Sequence, residues 1–200
     1  FQRVAPSVMV EDLMRDFLVG AAVLGNLSAF YFYAYAAMQI PVGVALDRWG
    51  PRRALFAAAV VCGTGTWLFA TADDLWMAYL GRLLIGAGAG VTWIGSLKLV
   101  SDWFPRRRFA MMTGLAMMLG TAGAVIGQAP LAMVFPVAGR DGTMTAAAVF
   151  VFILAGLIWL VVRDRPGPSP APKPRGRSLG TLAGLRSAVR RPQCWIAAVF

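Results

Sequence analysis

The feature that most constrains this chain is a succession of long apolar runs, each closed by a short turn that is rich in charge, Gly or Pro. Apolar runs of about 17 to 25 residues are long enough to cross the hydrocarbon core of a bilayer as helices. The composition agrees, because 58% hydrophobic and only 14% charged residues is a balance that soluble domains rarely carry. We therefore predict an all-α, polytopic helical bundle in a membrane.

The runs predict five complete spans and parts of two more. The complete helices are expected at residues 17–46, 54–70, 76–100, 109–135 and 144–162, with the end of a truncated first helix at 1–10, an acidic loop at 11–16 and the start of a seventh helix at 193–200. The bundle then forms a domain at 1–162. Residues 163–192 are rich in Pro, Gly and Arg, which predicts a solvated basic linker with an amphipathic segment on the membrane surface. Since the chain starts without Met and stops inside an apolar run, we expect a piece of a longer protein.

The charge distribution gives an orientation. A formal net charge of +10 is compatible with nucleic-acid binding, but the basic residues lie in loops between apolar runs rather than on a soluble face, so no nucleic-acid partner is expected. The positive-inside rule assigns the side that carries most of these residues to the cytoplasm. That side carries Arg48, Arg52, Arg53, Arg106, Arg107, Arg108 and the Arg cluster of 163–191. We expect a multi-pass protein of a bacterial inner membrane, embedded in the lipid bilayer.

Enzyme chemistry is not indicated. The chain has no His, which removes the commonest general base and metal ligand, and Cys62 and Cys194 lie far apart in apolar runs. No polar cluster combines a nucleophile or base with an orienting partner. We expect no metal, no cofactor and no enzymatic activity.

The most specific pattern is a charged hairpin between the first two complete helices. Its spacing resembles the loop motif of the major facilitator superfamily of secondary transporters. The matching positions are Gly43, Asp47, Arg48, Gly50, Arg52 and Leu55. Ala45 and Pro51 depart from the family's pattern, which usually has Leu and a basic residue there.

Two further segments resemble the same family. Arg82, followed by Gly86 and Gly88, is similar to its fourth-helix motif, in which the Arg is linked to proton transfer or to holding the helix bundle. These glycines do not indicate a dinucleotide loop, because they lie inside an apolar helix and follow no strand. Trp103-Phe104-Pro105 resembles the loop between helices four and five, with Arg107 where a Glu is usual.

The resemblance implies the N-terminal six-helix half of a twelve-helix transporter that works by alternating access. Its partners would be a small-molecule substrate and the C-terminal half of the same chain, with proton coupling left open. Asp47 would be stabilised by the positive N-terminal end of a helix in the other half when the cytoplasmic side is closed. A non-transporting sensor or assembly protein on the same fold is the alternative.

Arg3 is a candidate substrate residue about two turns before the acidic loop, a position that we expect to lie inside the membrane. The resemblance implies such a role, because many transporters of this superfamily carry an Arg near this place, and in those that move phosphorylated or carboxylated substrates it binds the anion. The alternative is that Arg3 snorkels to the surface or pairs with the acidic loop. Arg3 and Arg82 would make the cavity positive, so a small organic anion is the preferred substrate class.

Tyr31, Tyr35 and Gln39 are spaced one helical turn apart and share a face that would line a substrate path. Alternatively, the aromatic rings pack against neighbouring helices and Gln39 bonds across an interface. Trp93 and Gln128 complete the candidate substrate-binding residues. Lys98 is expected to snorkel to the headgroups rather than to bind substrate.

Overall fold

The computed structural model describes residues 9–164, without the side chains of residues 11, 12, 16, 127–137 and 140. Four helices follow one another in this part of the chain, which contains no strand. They are α1 (Val10–Asp16), α2 (Ala21–Ala70), α3 (Leu75–Trp103) and α4 (Arg106–Val161). Residues 1–8 of the predicted helix at 1–10, which include Arg3, lie outside the described residues, as do residues 165–192 of the predicted linker and the predicted helix at 193–200.

A backbone break at Gly50 divides α2. Gly50 has φ 78° and ψ 160°, a region of backbone conformation that is essentially restricted to Gly. Pro51 follows at the first position of the next helical segment, where its missing N–H has no intrahelical partner to lose. We call the two segments α2a (21–49) and α2b (51–70). A straight helix of this length would measure about 75 Å, more than twice the hydrocarbon thickness, so the break lets one element form two spans.

Gly139 breaks α4 in the same way, with φ 65° and ψ −173°. We call the segments on either side α4a (106–138) and α4b (140–161). The start of α3 is fixed by a cap instead, because the Asp74 carboxylate accepts a hydrogen bond of 2.7 Å from the backbone N–H of Met77. Two glycine breaks and one cap therefore define three of the turns of the described region.

Four stretches of helix in this region are long and apolar enough to cross a membrane, namely Ala21–Ala70, Leu75–Trp103, Arg106–Ile126 and Asp141–Val161. Large apolar side chains lie on their outer surfaces; Ile126 and Leu160, for example, are 68% and 72% exposed. Such a surface suits contact with lipid rather than with water. The described chain is an all-α, multi-pass integral membrane protein.

Helix α3 packs against both segments of α2. It runs parallel to α2a, since Gly86 and Gly90 contact Tyr31 and Tyr35 in the same order along both chains. It runs antiparallel to α2b, where Gly81 meets Gly65 and Gly95 meets Leu55. Helix α4b lies antiparallel along the other side of α2b, with Phe152 over Gly63 and the Trp159 ring 5.0 Å from that of Phe56.

Two buried apolar clusters fill the space between these helices. One lies toward the end where α2b turns into α3, and its central side chains are Leu27, Tyr31, Phe69 and Ile85. The other lies near the Gly50 break and contains Val42, Leu46, Ala54, Ala58 and Val91. Helix α4a differs, because a Cβ added at Gly114, Gly120 or Gly123 would meet nothing within 4 Å among the described residues.

Residues 11–16, which were expected to form a loop, instead belong to helix α1. The pattern of charges favoured a loop, but Met9 and Leu13 are one turn apart and both are fully buried against the first cluster. Helix α2 begins at Ala21 rather than at residue 17, because Leu18 adopts a positive φ of 52° and Gly20 is extended. Burial of one apolar face therefore outweighs the acidic character of this segment.

Most of the other helix ends lie beyond the predicted ones. Helix α3 runs from Leu75 to Trp103, where 76–100 was expected, and α4 is helical over 106–161 apart from Gly139, where separate helices at 109–135 and 144–162 were expected. The predicted ends were placed where the apolar runs meet polar residues. In the structure the helical hydrogen bonding continues through these polar residues and ends where the backbone turns.

Candidate functional site

The charged hairpin at Gly50 is held against the end of α4b. A Cβ at Gly50 would lie 3.0 Å from Oδ1 of Asp164, so only Gly allows this approach without a shift of the carboxylate. The same oxygen accepts a 3.0 Å hydrogen bond from the backbone N–H of Arg52. That N–H lies in the first turn of α2b, where no intrahelical acceptor exists. Asp164 therefore caps α2b from a distant part of the sequence, where the helix dipole also favours a negative charge.

Arg52 makes the reciprocal contact at the end of α4b. Its Nε and Nη2 donate hydrogen bonds of 3.1 and 2.6 Å to the backbone carbonyl of Trp159, one of the last carbonyls of that helix. Its guanidinium also lies 4.3 Å from the centroid of the Trp159 ring, within the range of a cation–π contact. Each helix end thus satisfies a backbone group of the other.

Asp47, the acidic residue of the hairpin motif, pairs with Lys98 of α3. The Lys98 Nζ lies 3.2 Å from Asp47 Oδ1 and donates a hydrogen bond to it. The other motif residues of this turn, Gly43 and Arg48, are exposed, and a Cβ at Gly43 would meet nothing within 4 Å. Lys98 was expected to snorkel to headgroups, whereas here it links two helices.

Arg82 is a charged residue buried inside the bundle. Its side chain is only 2% exposed, on a helix whose neighbouring residues are apolar. Its guanidinium carbon lies 5.5 Å from the ring centroid of Tyr31 and 5.6 Å from that of Phe69, so two aromatic faces flank the charge. Cation–π contacts with desolvated groups are stronger than those at a surface. A buried Arg in a membrane helix is costly and is normally retained for a function.

The glycines of α3 explain how Arg82 comes so close to Tyr31. A Cβ at Gly86 would collide with the carbonyl oxygen of Tyr31, and one at Gly88 would lie 2.5 Å from the carbonyl oxygen of Ala58. Gly86 thus packs against α2a and Gly88 against α2b. Small residues are enriched where membrane helices approach at backbone distance. The motif glycines therefore set the separation of three helical segments around Arg82.

The structure brings some of the candidate substrate residues together. The rings of Tyr31 and Tyr35 stack with their centroids 6.2 Å apart, and Tyr31 is buried beside Arg82. Tyr35, Gln39 and Trp93 are half-buried on α2a and α3. The side chain of Gln128 and the whole of Arg3 lie outside the described part of the chain. Their assignment to a substrate path remains a prediction.

Sequence reasoning missed Asp164 and Trp159 as partners of the hairpin. They lie more than 100 residues from Arg52, and neither belongs to a motif. The available signal was the position of an isolated acidic residue between Arg163 and Arg165, directly after an apolar run. Among the described residues no group of three or more Asp, Glu, Cys or His side chains is arranged to hold a metal ion.

Comparison with known proteins gives a consistent result. The family model of the Major Facilitator Superfamily matches residues 1–200. An uncharacterized transporter, YybO, of Bacillus subtilis (strain 168) is 33% identical over 105 residues, which are 52% of this chain and 24% of that protein. The hexuronate transporter of the same organism is 29% identical over 169 residues, 82% of this chain and 39% of that protein.

A third relative is the probable galactarate/D-glucarate transporter GudP of Pseudomonas putida, which is 25% identical over 146 residues. The match covers 70% of this chain and 30% of that protein. The chain thus spans well under half of the length of these relatives. With the hairpin motif, the fourth-helix motif and a match along its whole length, the chain belongs to the Major Facilitator Superfamily.

Proposed function

We propose that this chain forms the N-terminal half of a twelve-helix secondary transporter that moves a small organic anion by alternating access. The observation that carries the proposal is the burial of Arg82 between the rings of Tyr31 and Phe69. The described region then supplies spans two to six, namely α2a, α2b, α3, α4a and α4b. The first span would come from residues that precede α1.

The distribution of charge supports an anionic substrate. Every Asp and Glu between residues 21 and 161 lies near a helix end or break, at Asp47, Asp73, Asp74, Asp102 and Asp141. Arg82 is buried seven residues inside α3. A buried guanidinium contributes a positive potential to its surroundings, which attracts anions. Proton coupling would require a carboxylate from outside these spans.

The names of the relatives point in the same direction. Two of the three are named for hexuronate and for galactarate/D-glucarate, which are carboxylate anions. A carboxylate suits a guanidinium because the two groups form paired, charge-assisted hydrogen bonds. We assign Arg82, together with Tyr31, Tyr35, Gln39, Trp93, Gln128 and Arg3, to the surroundings of the substrate.

The hairpin motif belongs to the conformational machinery in this proposal. Gly43, Asp47, Arg48, Gly50 and Arg52 lie at the end of the bundle that the positive-inside rule assigns to the cytoplasm. Asp47 is exposed there and is positioned to accept a helix N-terminus from the other half. The two halves would rock about the midplane and expose the substrate site to each side in turn.

Uptake by vesicles that contain the full-length protein tests this proposal. We expect accumulation of labelled glucuronate or galactarate and none of glucose. Arg82→Gln should reduce uptake at least about tenfold. The proposed charge-assisted bond joins Arg82 to the substrate carboxylate, and removing the guanidinium would leave that carboxylate unpaired in a buried site. Arg107→Gln, which removes an exposed basic residue, is the matched control. Uptake of glucose but of no anion would contradict the substrate class, and no uptake of any solute would favour a sensor.

A further inference from the structure

The Asp47–Lys98 pair ties the end of α2a to α3. The Lys98 Nζ and Asp47 Oδ1 are 3.2 Å apart, and the two residues belong to helices that run in parallel. Asp47 lies in the last turn of α2a, directly before the Gly50 break. A helix C-terminus carries partial negative charge and disfavours a carboxylate. The ammonium group of Lys98 offsets this unfavourable position.

Both partners are accessible in this structure, since the side chains of Lys98 and Asp47 are 36% and 63% exposed. Ion pairs of such exposure contribute little to folding stability. A contact that is weak in the folded state suits a role in a conformational equilibrium better than a role in holding the bundle together. The packing of α3 on α2a depends instead on Gly86 and Gly90, which lie farther along the same interface.

When another part of the protein covers Asp47, the ion pair contributes more to the free energy than it does in water. Transferring an unpaired carboxylate from water into an interface is expensive, whereas a carboxylate that already has a cationic partner loses less. We propose that Lys98 is the positioning residue for Asp47, neutralising and orienting its carboxylate so that the other half of the transporter can close over it. This inference rests on the proposed alternating-access function.

The geometry favours positioning over competition. Lys98 bonds to Oδ1 of Asp47, and a carboxylate has acceptor sites on both of its oxygens. A second donor can therefore bind Asp47 without displacing Lys98. If Lys98 instead competed with that donor, removing it would promote closure. The two interpretations predict opposite effects on the same equilibrium.

A labelling experiment distinguishes them in the full-length protein with all native cysteines, Cys62 and Cys194 included, replaced by Ser. Ile40→Cys provides the reporter, because Ile40 is 59% exposed and lies two turns from Asp47 on the same face of α2a. Its rate of reaction with a maleimide added from the cytoplasmic side reports how often that side is open. Lys98→Met should raise this rate about two- to fivefold, the range expected for loss of one exposed ion pair.

Four further variants complete the test. Asp47→Asn should change the rate in the same direction, and the double variant Asp47→Asn/Lys98→Met should match Asp47→Asn alone, because Lys98 acts through Asp47. Lys98→Arg, which keeps the charge, should restore a rate close to that of the parent. Arg107→Gln controls for the loss of a basic charge that does not contact Asp47.

A slower rate in Lys98→Met, or additive effects in the double variant, would overturn the positioning role. Uptake of glucuronate is measured on the same vesicles. Absence of uptake by the parent would contradict the proposed transport function, while the labelling rates would still decide whether Lys98 governs the opening of this side.

Discussion

At the scale of single residues, the glycines of the helices differ in what surrounds them, and this difference separates packing positions from open ones. Gly86 contacts the backbone of Tyr31 so closely that no side chain fits, whereas a Cβ at Gly25 on α2a would meet nothing within 4 Å. Both lie inside apolar helices, so the sequence alone does not distinguish them. Gly86 belongs to the fourth-helix motif, and its contact with the Tyr31 backbone gives this glycine a packing role.

The first prediction compares these two glycines. Gly86→Ala should destabilise the protein by about 1–3 kcal/mol, because the added methyl forces α3 away from α2a. Gly25→Ala, the matched control, should be neutral or stabilising by up to about 1 kcal/mol, since Ala is the better helix former. Thermal unfolding of the purified protein in detergent measures both effects. Equal stability of the two variants would contradict the close approach at Gly86.

The second prediction concerns the backbone at Gly50. Gly50→Ala should cost about 1–3 kcal/mol, because a φ of 78° is strained for any residue with a Cβ and that Cβ would also press on Asp164. Gly20→Ala is the control, since Gly20 has a φ of −83° and open space around it. The same unfolding measurement applies. A stable Gly50→Ala protein would show that the hairpin can adopt another conformation.

At the scale of elements, the sequence predicted most helical segments but few of their ends. Apolar runs define spans reliably because lipid leaves helices as the only way to satisfy the backbone. The ends depended on features that composition does not reveal, such as the positive φ of Leu18 and the break at Gly139. Helix α1 was missed for a related reason. Its burial depends on contact with the first apolar cluster, which cannot be predicted from residues 11–16 alone.

The contact between α2b and α4b was also beyond the reach of sequence patterns. Arg52 was predicted as a motif residue, but its partners Trp159 and Asp164 lie on an element far along the chain. Only the fold shows that the start of one helix meets the end of the other. Reciprocal capping of this kind explains why an Arg and a Gly occur together in the hairpin.

The third prediction tests this reciprocal capping. Asp164→Asn and Arg52→Gln should each lower stability by about 1 kcal/mol or less, because both contacts are exposed to solvent. Since both residues hold the same two helix ends together, the double variant should lose less than the sum of the single losses. Unfolding of the three variants in detergent forms a double-mutant cycle. Strict additivity would show that the two contacts are independent.

At the scale of the whole molecule, the ends of the described bundle differ in charge but share exposed aromatic residues. Trp49 and Trp103 lie at the end that carries the Gly50 hairpin, and Trp76 lies at the opposite end; they are 59%, 51% and 78% exposed. Trp is enriched at both interfaces of a membrane, so these residues mark the two levels of the headgroups. The charge differs because the hairpin end carries a cluster of basic residues, namely Arg48, Arg52 and Arg53.

The fourth prediction assigns these ends to the two sides of the membrane. In a background without native cysteines, Cys62 and Cys194 included, a membrane-impermeant maleimide applied to right-side-out vesicles should label Trp76→Cys and leave Trp49→Cys unmodified. Inside-out vesicles should give the reverse. The physical reason is that loops rich in Lys and Arg are retained on the cytoplasmic side during insertion. Labelling after detergent solubilisation controls for intrinsic reactivity, since both cysteines should then react.

The labelling pattern decides on which side of the membrane the hairpin lies. If Trp49→Cys reacts only in inside-out vesicles, then Gly50, Asp47 and Lys98 lie at the cytoplasmic mouth, and closing over Asp47 shuts that mouth. If the pattern is reversed, the same ion pair would control access from outside, and the direction of every labelling effect assigned to Lys98 would change with it. The charge asymmetry of the loops therefore links the orientation of the chain to the conformational step that we propose for its motif residues.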